Sequence, residues 1–378
     1  MMITRSASQD DLPYIVDAYR LAFAFDEART TNYVSMVGLE HFRVLEVDGL
    51  QAAVWALLPS GHWLGGKAVP AANIAHVAIS PEHRGTGLAG VLLEAACKDA
   101  MRAGALIASL FASSRPVYRK AGFNLAGSEI IYEAETAQLY RVREEAASTR
   151  LDLEEVGVLR DIYDRSCRID AGRLDRSDAH WNCLLDRSSS IPSAFVFGQN
   201  DGYVLLDTAD PDCLVLRDYA SLNGSASRQI LKFLGSFSTV YPRVRWHGAP
   251  HDPLIFALPD KGWHLTHQEE FLLKLLDPAE ALSRRGYACA DMHFSLEIHG
   301  QDIEHLSVSI VDGIASVNQD RHAAMTVSID AIQLPSLYTG FRSAAFLRHA
   351  GGLDGSDEAI MMLDRAFAGP APWVGEHF

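Results

Sequence analysis

The N-terminal part of the chain changes from a helical to a strand-like spacing of apolar residues. After Ser8 and Asp11, which form a capping pair, apolar residues recur at helical spacing, and this predicts a helix within residues 5–24. Two strand-like runs follow at 42–47 and 51–58. The Asp48-Gly49 dipeptide between them is typical of a tight hairpin.

The next segment predicts a strand, a glycine-rich turn and a helix. The strand-like run covers residues 73–79 and stops at Pro81, where the ladder of hydrogen bonds must end. The helix covers residues 88–102, and strands near 106–111 and 130–135 complete this part of the chain.

The turn before this helix suits a pyrophosphate. Gly85 and Gly87 let the backbone approach a phosphate with no Cβ in the way, and the helix dipole points at the same place. The dinucleotide fingerprint is not met, because no acidic residue follows at a suitable distance after Gly90. The Walker pattern is absent too, since no Lys-Ser or Lys-Thr follows the glycines.

The segment after the polar link at 144–150 repeats a similar order of elements. It predicts helices at 153–168, 176–185 and 226–237, and strands at 193–197, 202–206, 213–220 and 240–247. No Arg-Gly-x-Gly loop follows a strand here. We therefore interpret the segment as a second copy of the first fold that cannot hold a cofactor.

The pattern changes again from about Asp277. A short helix at 278–285 precedes alternating runs at 290–299, 306–311, 314–317 and 324–328, which predict a small antiparallel sheet. Helical stretches are predicted at 329–339 and 358–367. The order resembles a sterol-carrier-like fold. A lipid pocket would explain the apolar alternation, but a buried sheet face explains it as well and is the preferred interpretation.

Composition sets limits on the class of protein. With 378 residues, of which 48% are apolar, the chain should form two or three domains with real cores. The five cysteines are scattered without metal-binding spacing, so we expect no zinc, no other metal and no disulfide framework, and a reducing compartment. No signal peptide or membrane-spanning run is present, which predicts a cytoplasmic protein.

The formal net charge of −15 disfavours two kinds of partner. Nucleic acid and anionic membrane surfaces would be repelled by this field, whereas polycationic small molecules would be attracted. Solubility alone is also a sufficient reason for an acidic composition.

Two motifs carry a resemblance to a known family. Arg84-Gly-x-Gly-Leu-Ala89 and Tyr118-Arg-Lys-Ala-Gly-Phe123 resemble the two halves of the signature of GCN5-related N-acetyltransferases. Together with Arg285-Gly-Tyr-Ala288, Leu334-Pro-Ser-Leu-Tyr338 and Leu363-Asp-Arg-Ala-Phe-Ala368, they make the whole chain similar to the Eis (enhanced intracellular survival) family.

This resemblance implies an α/β (α+β) protein with tandem acetyltransferase folds and a sterol-carrier-like domain. The implied domains are an acetyl-CoA-binding domain at 1–145, a central acetyltransferase-like domain without a cofactor loop at 146–276, and the sterol-carrier-like domain at 277–378. The family transfers acetyl from acetyl-CoA to amines, notably those of aminoglycosides, and assembles as hexamers. We therefore expect a small-molecule amine as substrate and a homo-hexamer.

The resemblance also assigns cofactor contacts. They fall on the strand and the loop, with two serines before the tyrosine: Val77, Ala78, Ile79, Arg84, Gly85, Thr86, Gly87, Leu88, Ala89, Gly90, Ser113 and Ser114. The usual loop has further arginines, whereas this chain has only Arg84, preceded by His83, and cofactor affinity could be lower for that reason.

The family's general acid falls on Tyr118, and its general base is the terminal carboxylate, here that of Phe378. A tyrosine with a pKa of about 10 keeps its proton and can donate it to a leaving thiolate. Each role has an alternative: Tyr118 could be a core residue, and Phe378 a frayed end. His76 is a second choice as base, although a histidine in a strand is more often packed.

Three residues are expected to contact the acceptor. Asp26 and Glu27, in the loop after the first helix, could bind ammonium groups, and a solvated helix end explains them equally well. His377 stands where the family commonly has an acidic residue, which leaves the substrate range open. Two other functions use the same features: acetylation of protein lysines or N-termini, and non-catalytic binding of acyl-CoA or lipid.

Overall fold

The computed structural model describes residues 1–145, 147–258, 260–319 and 325–378. Its strands are β1 (Met2–Ser6), β2 (Phe42–Val47), β3 (Leu50–Leu64), β4 (Lys67–Ile79), β5 (Ile107–Phe111), β6 (Asn124–Glu135), β7 (Ser148–Leu151), β8 (Leu174–Asp175), β9 (Ser193–Phe197), β10 (Gly202–Asp207), β11 (Cys213–Ser221), β12 (Arg243–His247), β13 (Trp263–Leu275), β14 (Met292–His299), β15 (Ile303–Val311), β16 (Ile314–Asn318), β17 (Thr326–Asp330), β18 (Leu353–Asp354) and β19 (Trp373–Val374). Its helices are α1 (Leu12–Phe23), α2 (Glu27–Val37), α3 (Leu88–Arg102), α4 (Arg115–Lys120), α5 (Thr136–Leu139), α6 (Val156–Cys167), α7 (Asp178–Leu184), α8 (Gly224–Gly235), α9 (Pro253–Ala257), α10 (Pro278–Arg284), α11 (Leu334–Tyr338), α12 (Ala344–His349) and α13 (Asp357–Ala366).

The N-terminal strands carry helices on both faces. Val54 and Ala56 of β3 pack in one apolar cluster with α1 and α2, whereas Trp55 and Leu57 pack with α3 in another. Because successive side chains of a strand point to opposite faces, a strand covered on both sides must be apolar throughout. This is why residues 52–58 are all buried.

One continuous large sheet joins the first and second parts of the chain. Its strand order is β1-β2-β3-β4-β5-β13-β6-β12-β11-β10-β9-β7, with β8 paired to β3 and β19 paired to β6. β13 pairs with both β5 and β6, so a strand from the second part of the chain lies between two strands of the first. The C-terminal half of β6 also pairs with β12.

The C-terminal region forms a second sheet with the order β16-β15-β14-β17-β18. β14 and β17 run parallel, so the expectation of a purely antiparallel sheet is wrong for this pair. Of the strand predicted at 324–328, residue 324 lies outside the described residues, and the observed strand begins at Thr326. Ile329 and Asp330, predicted to begin a helix, belong to β17.

The two sheets share an apolar core. Phe271 and Leu273 of β13 lie in the same cluster as Phe294 of β14 and Leu337 of α11. No helix in the described part of the chain is both long enough and apolar enough to cross a membrane. The mixed sheets with helices agree with the α+β class expected from the sequence.

Candidate active site

The glycine-rich loop has the backbone conformation that its sequence predicts. Gly85 and Gly87 have φ values of +77° and +85°, a region that L side chains rarely adopt. A Cβ placed on Gly85, Gly87 or Gly90 would meet no atom within 4 Å, so the loop presents bare backbone to open space. Thr86 donates a hydrogen bond to the carbonyl of His83 over 2.7 Å and so closes the turn.

Helix α3 begins directly after this loop. Leu88, Ala89 and Gly90 form its first turn. The Gly90 N–H donates to the Gly87 carbonyl over 3.1 Å, whereas the N–H groups of Leu88 and Ala89 have no acceptor within the helix. The loop and this turn therefore offer several N–H groups at the positive end of a helix, which fits a pyrophosphate. The Arg84 side chain, whose Nε donates to the Ile79 carbonyl over 3.2 Å, is exposed at the same end.

Strands β4 and β5 part next to the loop. They pair only over residues 71–73 of β4, which leaves the rest of this β4 edge without a β5 partner. This edge includes the predicted cofactor residues Val77, Ala78 and Ile79. A bulge sets His76 and Val77 opposite the single residue Trp55, and His76 takes a positive φ of +49°. An unpaired strand edge offers backbone N–H and C=O groups to an extended ligand, so the residues present fit the amide-containing arm of acetyl-CoA.

Tyr118 is held in α4 beside this opening. Its side chain is 8% exposed and belongs to the same apolar cluster as Leu88, Val77 and Ile79. Its carbonyl accepts hydrogen bonds from the N–H groups of Ala121 and Phe123. Gly122 makes this turn possible with φ +90°. Burial raises the pKa of Tyr118 above its ordinary value, and the nearby Ser113 hydroxyl opposes this shift.

A cavity of about 780 Å³ lies beside β4, between α2 and α7. Among the predicted site residues, Asp26, His76, His377 and Phe378 line it. Neither Tyr118 nor Glu27 is among the described residues that line the cavity. The site residues therefore divide between the cofactor opening and this neighbouring cavity.

Asp26 lies in the short loop between α1 and α2, as the sequence suggested, whereas Glu27 does not. Asp26 caps helix α2, and its carboxylate accepts a hydrogen bond from the Arg29 N–H over 2.7 Å. Glu27 is the first residue of α2 and is exposed. The helix was missed because its large apolar residues are confined to its second half, where Val34 and Val37 pack into the same apolar cluster as α1. Asn32 adds a polar contact to Asp186.

The C-terminal residues enter the cavity along β6. β19 pairs in parallel with β6, which sets Val374 opposite Glu129. Beyond it, both carboxylate oxygens of Glu376 accept hydrogen bonds from the buried Arg176, over 2.6 and 2.8 Å. A bidentate pair of this kind fixes both partners in one orientation.

The last two residues pack against β5 and β6. Nδ1 of His377 lies 3.0 Å from Oε2 of Glu129, and its ring stacks on Phe111 with centroids 4.0 Å apart. The ring of Phe378 meets Phe111 edge-on at 5.1 Å, and Phe378 is only 8% exposed. The end of the described chain is thus fixed in place and is not frayed.

His76 occupies an aromatic environment at the base of the cavity. Its ring centroid lies 4.5 Å from that of Tyr33 and between 5.4 and 5.7 Å from those of Tyr19, Phe23 and Phe25. Burial, together with the neighbouring positive groups His377 and Arg29, lowers the pKa of His76 to about 4. His76 is therefore neutral at neutral pH.

A buried polar network that the sequence did not reveal supports the wall of the cavity. Nδ1 of His62 lies 2.7 Å from the Gly172 carbonyl, so Nδ1 must carry the proton. Nε2 then accepts a hydrogen bond from the Ser109 hydroxyl. Ser109 in turn accepts a hydrogen bond from the Asn73 amide. The Asn73 oxygen accepts from Nε2 of His180, 3.0 Å away.

The proton positions in this network form one consistent set. Because Nε2 of His180 carries the proton and donates, its Nδ1 accepts a hydrogen bond from the Ser177 hydroxyl, 2.9 Å away. Both histidines are neutral, since burial lowers the pKa of His62 and of His180 to about 4. Asn73 and Ser109 are the last paired residues before β4 and β5 part, so the network braces the point where the opening begins.

Comparison with known proteins identifies each part of the chain. Two models described as acetyltransferase (GNAT) domains match residues 4–126 and 172–275. A sterol carrier protein domain matches residues 278–375. The chain is thus an N-acetyltransferase of the GNAT type, with tandem acetyltransferase folds and a sterol-carrier-like domain.

Individual proteins that are similar to this chain belong to a narrower group of N-acetyltransferases. The N-acetyltransferase Eis of Mycobacterium tuberculosis is 27% identical over 325 residues, which covers 80% of this chain and 79% of the relative. An uncharacterized N-acetyltransferase of Streptomyces griseus is 25% identical over 353 residues, with 83% of each chain covered. The chain is a homologue of these N-acetyltransferases.

Solved structures agree over the whole length. A GCN5-related N-acetyltransferase from Anabaena variabilis covers 100% of both chains with a TM-score of 0.94 and 26% identity. Eis1 from Mycobacterium abscessus also covers 100% of both chains, with a TM-score of 0.81 and 22% identity, and shows the shared fold. Acetyltransferases of this type use acetyl-CoA as co-substrate.

Proposed function

We propose that the protein transfers the acetyl group of acetyl-CoA to primary amines of small polycationic molecules such as aminoglycosides. In this proposal Tyr118 is the general acid and the carboxylate of Phe378 is the general base. The observation that carries it is the position of Phe378, which is buried and lines the same cavity as Asp26. The base role requires a free carboxylate at position 378.

The charges around the cavity favour a cationic acceptor. The lining includes the carboxylates of Asp26, Asp186 and Glu376, together with Phe378. The guanidinium groups are those of Arg29 and Arg176, and Arg176 is engaged by Glu376 and Asp218. Carboxylates thus outnumber guanidinium groups, and in a concave site such an excess concentrates cations.

The acceptor must lose a proton before or during its attack on the thioester. A terminal carboxylate, with a reference pKa of about 3.5, is always ionised at neutral pH but is a weak base. It can hold the ammonium in place, accept its proton directly or through water, and stabilise the positive charge that forms on nitrogen. The buried setting of Phe378 strengthens this electrostatic effect.

The proton for the departing thiolate comes from Tyr118 in this mechanism. A bond forms between the amine nitrogen and the acetyl carbon, and the bond from that carbon to sulfur breaks. The thiolate takes the phenolic proton, and the raised pKa of Tyr118 ensures that this proton is present. Backbone N–H groups around Val77 would stabilise the thioester oxygen.

The remaining cofactor contacts are proposed on the same basis. The open loop from Gly85 to Gly90 binds the pyrophosphate, and Arg84 adds one positive charge. Ser113 and Ser114 directly precede α4, and we assign them to the cofactor because the Ser113 hydroxyl lies within hydrogen-bonding reach of Tyr118. His377 would position the tail and contact the acceptor, together with Asp26, which lines the same cavity. Glu27 would act on the acceptor only through the field of its charge.

We also propose domains at 1–145, 146–276 and 277–378 in a cytoplasmic homo-hexamer. Large apolar side chains that stay exposed in the single chain support an assembly, as Phe256 does at 92% exposed. Light scattering on the untagged protein tests the assembly, because a monomer mass at micromolar concentration contradicts it.

An amine panel tests the proposed reaction. Untagged protein with acetyl-CoA is given a kanamycin-like polyamine, a monoamine of similar size and a lysine peptide, and thiol release is followed. We expect the highest kcat/KM with the polyamine. This kcat/KM should fall with increasing salt concentration, because salt screens the attraction between the polyamine and the carboxylates of the cavity. Preference for the peptide would indicate a protein acetyltransferase. Tight binding of acetyl-CoA without turnover of any amine would indicate a sensor.

A further inference from the structure

We propose that Glu129, His267 and Glu269 form a binding site for a divalent transition-metal ion of the zinc class. One ligand atom from each of these residues can be chosen so that all three lie within 4.8 Å of one another. A mixed set of one imidazole and two carboxylates suits Zn²⁺ and related ions. The site lies on the face of the large sheet, next to the residues that hold the C-terminal tail.

The strand register brings the three ligands together. Glu129 of β6 is directly opposite Glu269 of β13, and His267 is opposite Ile131. Residues two apart on a strand share a face, so all three side chains project to the same side of the sheet. A register shift at Thr266 ends this regular pairing just beyond His267.

Only small movements are needed to enclose an ion. Ligand atoms about 2.0–2.2 Å from a tetrahedral Zn²⁺ lie about 3.4 Å from each other. Nε2 of His267 is already 3.7 Å from Oε2 of Glu269. The His267 and Glu269 side chains are 45% and 34% exposed, so they can rotate towards the fixed carboxylate of Glu129.

The surroundings of Glu129 provide an independent reason for an ion here. Its side chain is only 3% exposed, and a buried carboxylate is normally paired with a positive group or coordinates a metal ion. Within the described part of the chain, its ion-pair partners are two imidazoles, His247 at 3.2 Å and His377 at 3.0 Å. A bound dication would supply the missing charge, and Nδ1 of His247 could complete a four-coordinate site.

The site shares Glu129 with the C-terminal tail. A metal ion on Glu129 takes the carboxylate from His377, the residue before Phe378, and loosens the end of the chain. The ion should therefore slow acetyl transfer. This consequence depends on the proposed role of Phe378, whereas metal binding does not.

Metal titration of the untagged full-length protein tests the binding. Co²⁺ is used as the probe, because tetrahedral coordination gives intense visible absorption, and competition with Zn²⁺ gives the zinc affinity. We expect one ion per chain, and an increase in Kd of at least about tenfold for His267→Gln and for Glu269→Gln, since even outer-sphere changes cost about 10–100-fold.

His264→Gln, on the same strand and beside Glu133, is the matched control and should bind as wild type. Absence of tetrahedral binding, or unchanged affinity in both ligand variants, overturns the site.

Turnover tests the link to the tail. Zn²⁺ should lower kcat of the wild type and of His264→Gln, and it should affect His267→Gln much less at the same concentration. Equal inhibition of all three proteins refutes the link. If the terminal base is wrong but the metal site is right, Co²⁺ still binds with the same dependence on His267 while Zn²⁺ leaves kcat unchanged.

Discussion

Nδ1 of His377 lies 3.0 Å from Oε2 of Glu129, which ties the penultimate residue of the described chain to the middle of the large sheet. Glu376 is fixed by Arg176 on one side, and Phe378 packs against Phe111 on the other. Three consecutive side chains thus contact three parts of the chain: the segment between β8 and α7, β6 and β5. Because the side chains of residues 376, 377 and 378 are all held, the main chain of Phe378 is restricted to one position.

The terminal carboxylate can be tested by changing only its charge. A version ending in a C-terminal amide, prepared by expressed protein ligation, keeps the shape of Phe378 but removes the negative charge. We expect kcat to fall by about 10²-fold or more, the range typical of a general base, with little change in melting temperature. The matched control is the same ligated protein with a free acid.

Extending the chain is a second test of the same group. One added glycine moves the carboxylate by about 3.5 Å, farther than a proton transfer tolerates. Activity of the amide or of the extended protein equal to that of the acid control contradicts the base role, whatever the fold.

Tyr118→Phe tests the general acid. Removing the phenol should lower kcat by about 10²-fold or more and leave the affinity for acetyl-CoA nearly unchanged, because the ring still fills its place in the apolar cluster. Tyr140→Phe, at a residue that is 57% exposed, is the control and should retain full activity. A loss of cofactor affinity or of thermal stability in Tyr118→Phe would instead show a packing role.

Gly87→Ala tests the cofactor loop. A methyl group at φ +85° costs about 1–2 kcal/mol of strain and enters the space intended for the phosphates. We expect KM for acetyl-CoA to rise about tenfold with kcat little changed. Gly49→Ala is the matched control, because Gly49 has φ +84° and equally open surroundings in the β2–β3 turn. If both variants raise KM equally, the loop has no special role.

The neutral pair His62 and His180 predicts how stability depends on pH. Their pKa values of about 4 in the folded protein lie below the ordinary value of 6.5, so the unfolded chain binds more protons between these limits. The stability they contribute is complete above pH 6.5 and is lost as pH falls towards 4. Two such groups give a slope of up to about 2.7 kcal/mol per pH unit.

Melting temperatures between pH 7 and pH 5 check this slope. His62→Gln should be less stable than wild type at pH 7 but should lose less stability on acidification. His349→Gln, at an exposed histidine, should follow the wild-type curve. Parallel curves for wild type and His62→Gln contradict the assignment of a buried neutral imidazole.

Features that depend on local physics were predictable from the sequence. The turn at Gly85 and Gly87 needs positive φ, and the helix after it begins at Leu88 and ends at Arg102, as predicted. The hairpin at Asp48-Gly49 is likewise present, with positive φ at both residues.

Features that depend on distant partners were not predictable. Strand β13 was missed because its first half, which begins at Trp263, is exposed and consists mostly of polar residues. The connection of His62 to His180 through Ser109 and Asn73 was missed for a related reason. These residues meet only because the sheet brings separate parts of the chain together.

The placement of β13 between β5 and β6 has a consequence for synthesis of the protein. A nascent chain that ends before Trp263 exposes two unpaired strand edges in the half that carries the glycine loop. Because domains emerge from the ribosome in order, the N-terminal half must wait for more than a hundred further residues before its sheet can close. During that interval the chain is at its most vulnerable to aggregation and to chaperone capture.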